Sequence, residues 1–300
     1  MRSFLIAVVF AVAMCGLVVP TWADDLPEVK SKSAVVIDAE TGAEIFGKDA
    51  DQIRPIASTT KIFVAMAVRK KGIDLNGWTE ITRTDSRAAA GGARTRLDIG
   101  EKFRNHDLLR AMLISSDNRA PTALGRAVGW DPDELVKAMN KVAKDLHLKR
   151  TKFTDASGLR GNVSTAREMA IALRAALEDE VLRDIMHTQW VEVIAKDGYP
   201  KIGYGNTNQP LVVKKHDVVG GKTGYTKPAG YCFITGAKFD GREVVMAFLG
   251  ANEKLTRFGD FNRVASWIDR GAPGAKIVTK RPKRSPPKLD VEVRGRVATP

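Results

Sequence analysis

The sequence predicts an α/β protein of the α+β kind, in which a mostly antiparallel sheet carries helices on its faces and strands from both ends of the chain pair with each other. Three observations predict it. Strand-like apolar runs occupy Ala34–Asp38 near the start and Tyr231–Phe239 and Glu243–Leu249 near the end. The stretch between them, about residues 72–190, is patterned mainly as amphipathic helices. Asp240-Gly241 sits between the last two runs, a strong hairpin signal, because both residues tolerate the positive φ that a tight turn requires. At 300 residues with 44% hydrophobic content the chain can bury a large core, so disorder is excluded for most of its length.

In chain order, Arg2, the apolar run Phe4–Val19, Pro20 and Thr21-Trp22-Ala23 describe an export signal over residues 1–23, too short to span a membrane comfortably and expected to be cleaved after Ala23, with an uncleaved membrane anchor as the alternative. The folded domain is expected over 24–270, with the helical insert inside it. Ala34–Asp38 and Ala43–Phe46 flank Glu40-Thr41-Gly42 and read as a hairpin. Ile62–Val68 is unbroken apolar sequence ending in Arg69, Lys70, Lys71 and Gly72, which reads as a buried helix with a basic last turn and a glycine stop. Gly91-Gly92 leads to a loop and short strand over Arg94–Asp98. Asn105 is placed to cap a helix through Leu108, Leu109, Met112 and Leu113, which breaks at Ser115-Ser116-Asp117-Asn118 before another helix beyond Pro121.

Asp131-Pro132-Asp133-Glu134 opens a helix reaching His147, since an acidic N-cap, a first-turn proline and a glutamate three residues on each satisfy or suit the helix start. Ser164–Glu168 opens another, to about Leu177. From Trp190 onward the pattern turns to strands: Val191–Ala195, Leu211–Val213 and Lys222–Thr226, then the closing hairpin. A final helix covers Arg257–Asp269. No internal repeat is present.

Charge and cysteine content narrow the function classes. The formal net charge is +13, but from Lys276 to Pro300 eight basic residues stand against Asp290 and Glu292, so about half of the excess lies in a basic, Pro-rich tail over 271–300. That tail has no apolar stretch to insert in a bilayer. Export makes nucleic acid a poor partner; anionic wall polymer or a membrane surface suits the tail, and simple solvation is the alternative. Without residues 1–23 a single cysteine remains, Cys232, between Tyr231 and Phe233 in an apolar strand, where a small core residue is expected. His106, His147, His187 and His216 are scattered without ligand spacing, and there is neither a His-Glu-x-x-His helix nor a Gly-x-Ser-x-Gly elbow.

The chemistry centres on Ser58-Thr59-Thr60-Lys61. Residues three apart share a helix face, so the Lys61 amine can reach the Ser58 hydroxyl. A lysine can act as base only if burial or a second cation lowers its pKa. Read alone, the spacing also fits a serine N-cap followed by a solvated lysine, and Ser285 and Lys288 repeat it inside the tail. Lys222-Thr223-Gly224, after Gly220-Gly221 and before Tyr225-Thr226, supplies a candidate second cation and a hydroxyl. Gly224 removes a side chain where an extended substrate would lie along a strand edge. The backbone N–H groups of Ser58 and Tyr225 could hold an oxyanion. Ser116 and Asn118 offer another hydroxyl and an amide, or serve only as a capping pair.

Together, in the order Ser-x-x-Lys, Ser-x-Asn, Lys-Thr-Gly, these motifs resemble the set shared by penicillin-binding proteins and class A β-lactamases. Over about residues 30–270 the chain resembles the low-molecular-mass penicillin-binding proteins, the serine D-alanyl-D-alanine carboxypeptidases and related endopeptidases. Asn118-Arg119-Ala120, Thr151-Lys152-Phe153, Asn162–Arg167 and Lys222–Gly230 add to the likeness. The resemblance implies a serine β-lactamase/DD-peptidase-like fold, no cofactor and no metal. It implies Ser58 as the acylated nucleophile, Lys61 as its base, Ser116 as a proton relay and Asn118 as a binder of a substrate amide. Lys222 would keep the site positive, and Thr223, Thr226 and Arg257 would hold the terminal carboxylate of a peptidoglycan stem peptide. Arg257 could instead be solvated at its helix start.

It also implies β-lactams as covalent inhibitors. There is no Glu-x-x-Leu-Asn segment of the kind class A β-lactamases use to deacylate, so penicillin is expected to stay on Ser58. Membrane-tethered members usually carry a second, β-rich domain and a C-terminal amphipathic helix; in the sequence given only the basic tail follows Asp269, so a tether of that kind is not expected. The expectation is therefore an exported carboxypeptidase, in the periplasm or loosely held by charge, with an endopeptidase, a β-lactamase or a silent wall-binding protein as alternatives.

Overall fold

A computed structural model describes residues 26–93 and 95–271; residues 1–23, expected to be an export signal, and the tail beyond 271 lie outside the described residues. The strands are β1 (Ser33–Asp38), β2 (Glu44–Lys48), β3 (Arg54–Pro55), β4 (Trp78–Glu80), β5 (Lys102–Arg104), β6 (Val163–Ser164), β7 (Trp190–Ile194), β8 (Lys201–Gly205), β9 (Asp217–Thr226), β10 (Gly230–Phe239) and β11 (Arg242–Ala251). The helices are α1 (Lys61–Lys70), α2 (Arg83–Ala88), α3 (Asn105–Ile114), α4 (Ala120–Ala127), α5 (Pro132–Asp145), α6 (Ala166–Ala176), α7 (Glu180–His187), α8 (Gln209–Val213) and α9 (Thr256–Asp269).

Five strands form the main sheet in the order β2-β1-β11-β10-β9, all neighbours antiparallel. The two ends of the chain meet as the sequence predicts: β1 pairs with β11 from Ser33 opposite Leu249 to Asp38 opposite Val244. The Asp240-Gly241 turn joins β10 to β11, with φ of 48° and 78°. Side chains alternate across the sheet. Val35, Ile37, Val245, Ala247 and Leu249 join the core that includes α1 and α6, while Ala34, Val36, Met246 and Phe248 meet Phe258, Phe261 and Trp267 of α9. Both faces are thus covered, which is why β1 and most of β11 are apolar throughout.

In α1 every residue from Lys61 to Val68 is buried, so the helix runs through the interior between the sheet and the helical block. Solvent can satisfy little along it, and the apolar run explains why. Ser58 precedes it in a 3-10 turn, Ala57–Thr60, a turn tighter than the helix start that the sequence implies. This turn packs beside β9, the last strand of the sheet order.

Three local expectations are corrected. Leu211–Val213 is part of α8 and not a strand: the Asn208 side chain accepts from Leu211 N–H at 3.4 Å and Pro210 occupies the first turn, start signals that outweigh three apolar residues. Described residues of Arg94–Asp98 form no strand; the Arg96 backbone N–H is donated to the Asp117 carboxylate at 2.9 Å and has no ladder partner. Asn105 does not cap α3 but begins it, with its side chain accepting from Thr79 Oγ1 at 2.6 Å and donating to the Asp74 carbonyl at 2.7 Å, which ties α3 to β4.

Candidate active site

Ser58, on its 3-10 turn, lines a cleft of about 760 Å³ together with residues that include Ser116, Asn118, Thr223, Tyr225 and Arg257. The backbone approach on two sides of the serine is unusually close. A Cβ on Gly224 would stand 2.8 Å from Ser58 N and 3.0 Å from Thr59 N; one on Gly158, whose φ is +82°, would stand 2.0 Å from the Ala57 carbonyl oxygen and 2.9 Å from Ser58 N. Glycine is required at both places by space, and at Gly158 by φ as well. For Gly224 the reason differs from the expected one, because the residue makes room for the nucleophile's own turn. The Ser58 N–H therefore lies between two stretches of chain with no side chain to cover it.

Lys61 is fully buried, and its Nζ donates to Ser58 Oγ at 2.9 Å, Asn118 Oδ1 at 2.7 Å and the Ser157 carbonyl at 2.9 Å. Among the described residues no carboxylate bonds to it. Burial pushes the amine down to about 7, opposed by the charges of Asp155 and Asp117. Of the two causes the sequence left open, burial or a second cation, burial is the one that lowers Lys61. Lys222 is buried too, its Nζ donating to the Thr223 carbonyl at 2.8 Å, and burial holds it well below its ordinary value, followed by repulsion from Lys61 and Arg257.

A neutral amine has two protons and one lone pair. With Asn118 Oδ1 and the Ser157 carbonyl as fixed acceptors, the third direction is Ser58 Oγ, so the lone pair of neutral Lys61 points at the hydroxyl proton. The Ser157 carbonyl is held there by Asp155, whose Oδ1 accepts from the N–H groups of Ser157 and Gly158 at 2.7 Å and of Leu159 at 3.2 Å, while Oδ2 accepts from Arg160 at 2.7 Å. Sequence reading missed Ser157 and Gly158, although Asp-x-Ser-Gly is a turn signal that could have flagged the loop.

Ser116 and Asn118 lie on the turn between α3 and α4, and both reach the cleft. Asn118 Oδ1 is engaged by Lys61, which leaves its Nδ2 for a substrate carbonyl; a Cβ on Gly92 would come within 2.4 Å of that nitrogen. Ser116 Oγ is buried and, among the described residues, has no hydrogen-bond partner. Thr223 Oγ1 donates to Thr207 Oγ1 at 2.8 Å; Thr207, which also lines the cleft, carried no sequence signal.

Arg257 is 5% exposed, so a solvated guanidinium is excluded. Its Nη1 donates to the Gly224 carbonyl at 2.9 Å and the Cys232 carbonyl at 3.2 Å, and the group lies 5.2 Å from the Tyr231 ring centre. Burial pushes it down to about 10. Tyr231 in turn stacks on the half-exposed Tyr225 at 4.2 Å. Cys232 is buried, with its thiol pushed up to about 11, a core residue as expected. Among the described residues no group of three or more His, Cys, Asp or Glu is placed to hold a metal.

The chain is similar to known proteins over most of its length. A family model described as D-alanyl-D-alanine carboxypeptidase matches residues 21–253. The chain is 31% identical over 245 residues to a D-alanyl-D-alanine endopeptidase of Pseudomonas aeruginosa, covering 81% of this chain and 79% of that protein. It is 31% identical to a D-alanyl-D-alanine carboxypeptidase of Bacillus subtilis, covering 77% of this chain and 62% of that one. A solved D-alanyl-D-alanine carboxypeptidase from Mycobacterium tuberculosis superposes with a TM-score of 0.73 at 27% identity, over 82% of this chain and 92% of that one.

Proposed function

Since the chain belongs to the D-alanyl-D-alanine carboxypeptidase family of serine peptidases, we propose that Ser58 is the residue it acylates in trimming the terminal D-alanine from peptidoglycan stem peptides. Neutral Lys61 takes the hydroxyl proton as Ser58 Oγ attacks the carbonyl carbon of the penultimate D-alanine. The carbonyl electron pair moves onto oxygen, where the N–H groups of Ser58 and Tyr225 hold the oxyanion. Collapse breaks the C–N bond, and a proton relayed through Ser116 goes to the departing amine. Water then attacks the ester, releasing the shortened stem and restoring Ser58. Asn118 Nδ2 binds a substrate carbonyl, and Lys222, whose Nζ is held on the Thr223 carbonyl, adds positive charge behind the site only in its protonated form.

The single observation that carries this reading is the contact between a buried amine held near neutrality and Ser58 Oγ. Arg257, with Thr223 and Thr226 beside it in the cleft lining, holds the terminal carboxylate. β-Lactams acylate the same oxygen. No described residue lining the cleft is Asp or Glu, which supports a penicillin adduct that persists. The work is done at the cell wall, in the periplasm, with the enzyme free or held loosely by contact of its basic tail with anionic wall polymer or a membrane surface. Among the described residues no helix is long and apolar enough to cross a membrane.

The second reading is a DD-endopeptidase, favoured by the Pseudomonas aeruginosa relative. Both reactions use one attack and differ in what leaves. Digestion of purified sacculi and separation of the muropeptides distinguishes them: the carboxypeptidase reading predicts loss of pentapeptides. Conversion of dimers to monomers with pentapeptides untouched moves the assignment to endopeptidase.

A further inference from the structure

Ser116 Oγ is fixed in an unusual way. The atom is buried without a hydrogen-bond partner among the described residues, so nothing bonded to the hydroxyl decides where it points. Its place is set by the backbone, and that backbone is strained: φ at Ser116 is +66°, in the left-handed region that side-chain-bearing residues rarely adopt. Such a conformation is unfavourable for a residue with a side chain and persists only when its neighbours hold it.

The residues on either side supply the hold. Asp117 is buried, with Oδ1 accepting from Arg119 N–H at 3.0 Å and Oδ2 accepting from Arg96 N–H at 2.9 Å and from the Tyr204 hydroxyl at 3.1 Å. Ser115 Oγ accepts from Arg96 Nη2 at 3.2 Å. The Arg96 guanidinium lies 4.1 Å from the centre of the Tyr204 ring and its Nη1 donates to the Gly203 carbonyl. Tyr204 itself is buried on β8, the returning strand of the β7–β8 hairpin, 87 residues from Asp117 in sequence. One aromatic residue thus anchors both the carboxylate after Ser116 and the arginine that grips the residue before it.

We propose that Tyr204 is a positioning residue for the reaction, acting through Asp117 and Arg96 to hold Ser116, a residue of the cleft lining, in its left-handed conformation. Without the Tyr204 hydroxyl, Asp117 keeps its two backbone donors but loses the one that ties it to the hairpin, and Ser116 can relax toward right-handed φ, moving Oγ from its present place beside the cleft. The inference rests on the reading of Ser116 as the proton relay.

The test is a cycle of Tyr204→Phe, Ser116→Ala and the double variant, each followed by penicillin acylation rate, by kcat and KM on a stem pentapeptide, and by Tm. Tyr204→Phe is expected to slow acylation and lower kcat about tenfold with KM little changed. In the Ser116→Ala background the same change is expected to have no further effect, because the group it positions is gone. Equal losses in both backgrounds, or a wild-type rate for Tyr204→Phe, overturn the proposal. A wild-type rate for Ser116→Ala overturns the relay reading and this inference with it, a pattern distinct from the first two. Should Tyr204→Phe yield too little folded protein, Arg96→Met leaves the Tyr204–Asp117 bond intact, and is expected to give a severalfold loss that again vanishes without Ser116.

Discussion

Gly224 on β9 comes so near Ser58 that a single added methyl would stand 2.8 Å from the serine's backbone nitrogen. The strand and the nucleophile's turn are therefore packed backbone to backbone. Gly224→Ala must separate them or tilt the turn, and either displaces the Ser58 N–H from the oxyanion. Acylation is expected to fall about a hundredfold or more, against a loss of stability of about 1–3 kcal/mol. Penicillin acylation kinetics beside a urea unfolding curve separate the two effects.

The pH dependence follows from Lys61. Its amine must be neutral to act as base, so activity is expected to rise with pH through an inflection near 7. The negative charge of Asp155 holds that value up. In Asp155→Asn the inflection is expected to move to lower pH, read from the acylation rate between pH 5 and 9.

Stability carries the same signature with a defined sign. Folded Lys61 titrates near 7, below the 10.5 of an unfolded lysine, so between those values the unfolded chain binds the extra proton and stability rises with pH. The penalty is complete below about pH 7 and absent above about 10.5. Lys61→Met is expected to raise Tm relative to the parent at pH 6.5 and to lose that advantage by pH 10.5, while lowering acylation by a factor of about 10² to 10⁴. Thermal unfolding at the two pH values checks the first part and acylation rates the second.

Arg257 is buried and partly spent on the Gly224 and Cys232 carbonyls, which fixes its orientation. A charge-assisted contact to a terminal carboxylate is worth about 2 kcal/mol. Arg257→Leu is expected to lower kcat/KM about 30-fold on a stem peptide with a free C-terminus, and to have little effect on the same peptide amidated at its end. Equal losses on both would mean that the guanidinium serves packing alone.

What the sequence made legible was local or chemically distinctive. Asp240-Gly241 marked the hairpin because few residue pairs accept positive φ at both places, and the apolar runs at Ala34 and Glu243 announced partners because each had to be covered on both faces. Ser58, Lys61 and Lys222 were readable because their side chains carry the chemistry. The Ser157 carbonyl was not, since a backbone oxygen leaves no residue signature and meets Lys61 only through a contact spanning 96 residues. Tyr204 was hidden for a similar reason, as its partner lies 87 residues away. The Leu211–Val213 segment misled because three apolar residues suit strand and helix alike, and the deciding signal lay in Asn208 and Pro210 just before them.

The proposed reaction requires a neutral Lys61 to remove the proton of Ser58. Acylation by penicillin, followed by mass spectrometry across pH 5 to 9 with the adduct mapped to its peptide, measures this directly. The account predicts one adduct, on Ser58, forming at a rate that rises through an inflection near pH 7. An adduct on any other residue, or a rate on Ser58 that does not change between pH 6 and 8, would contradict it.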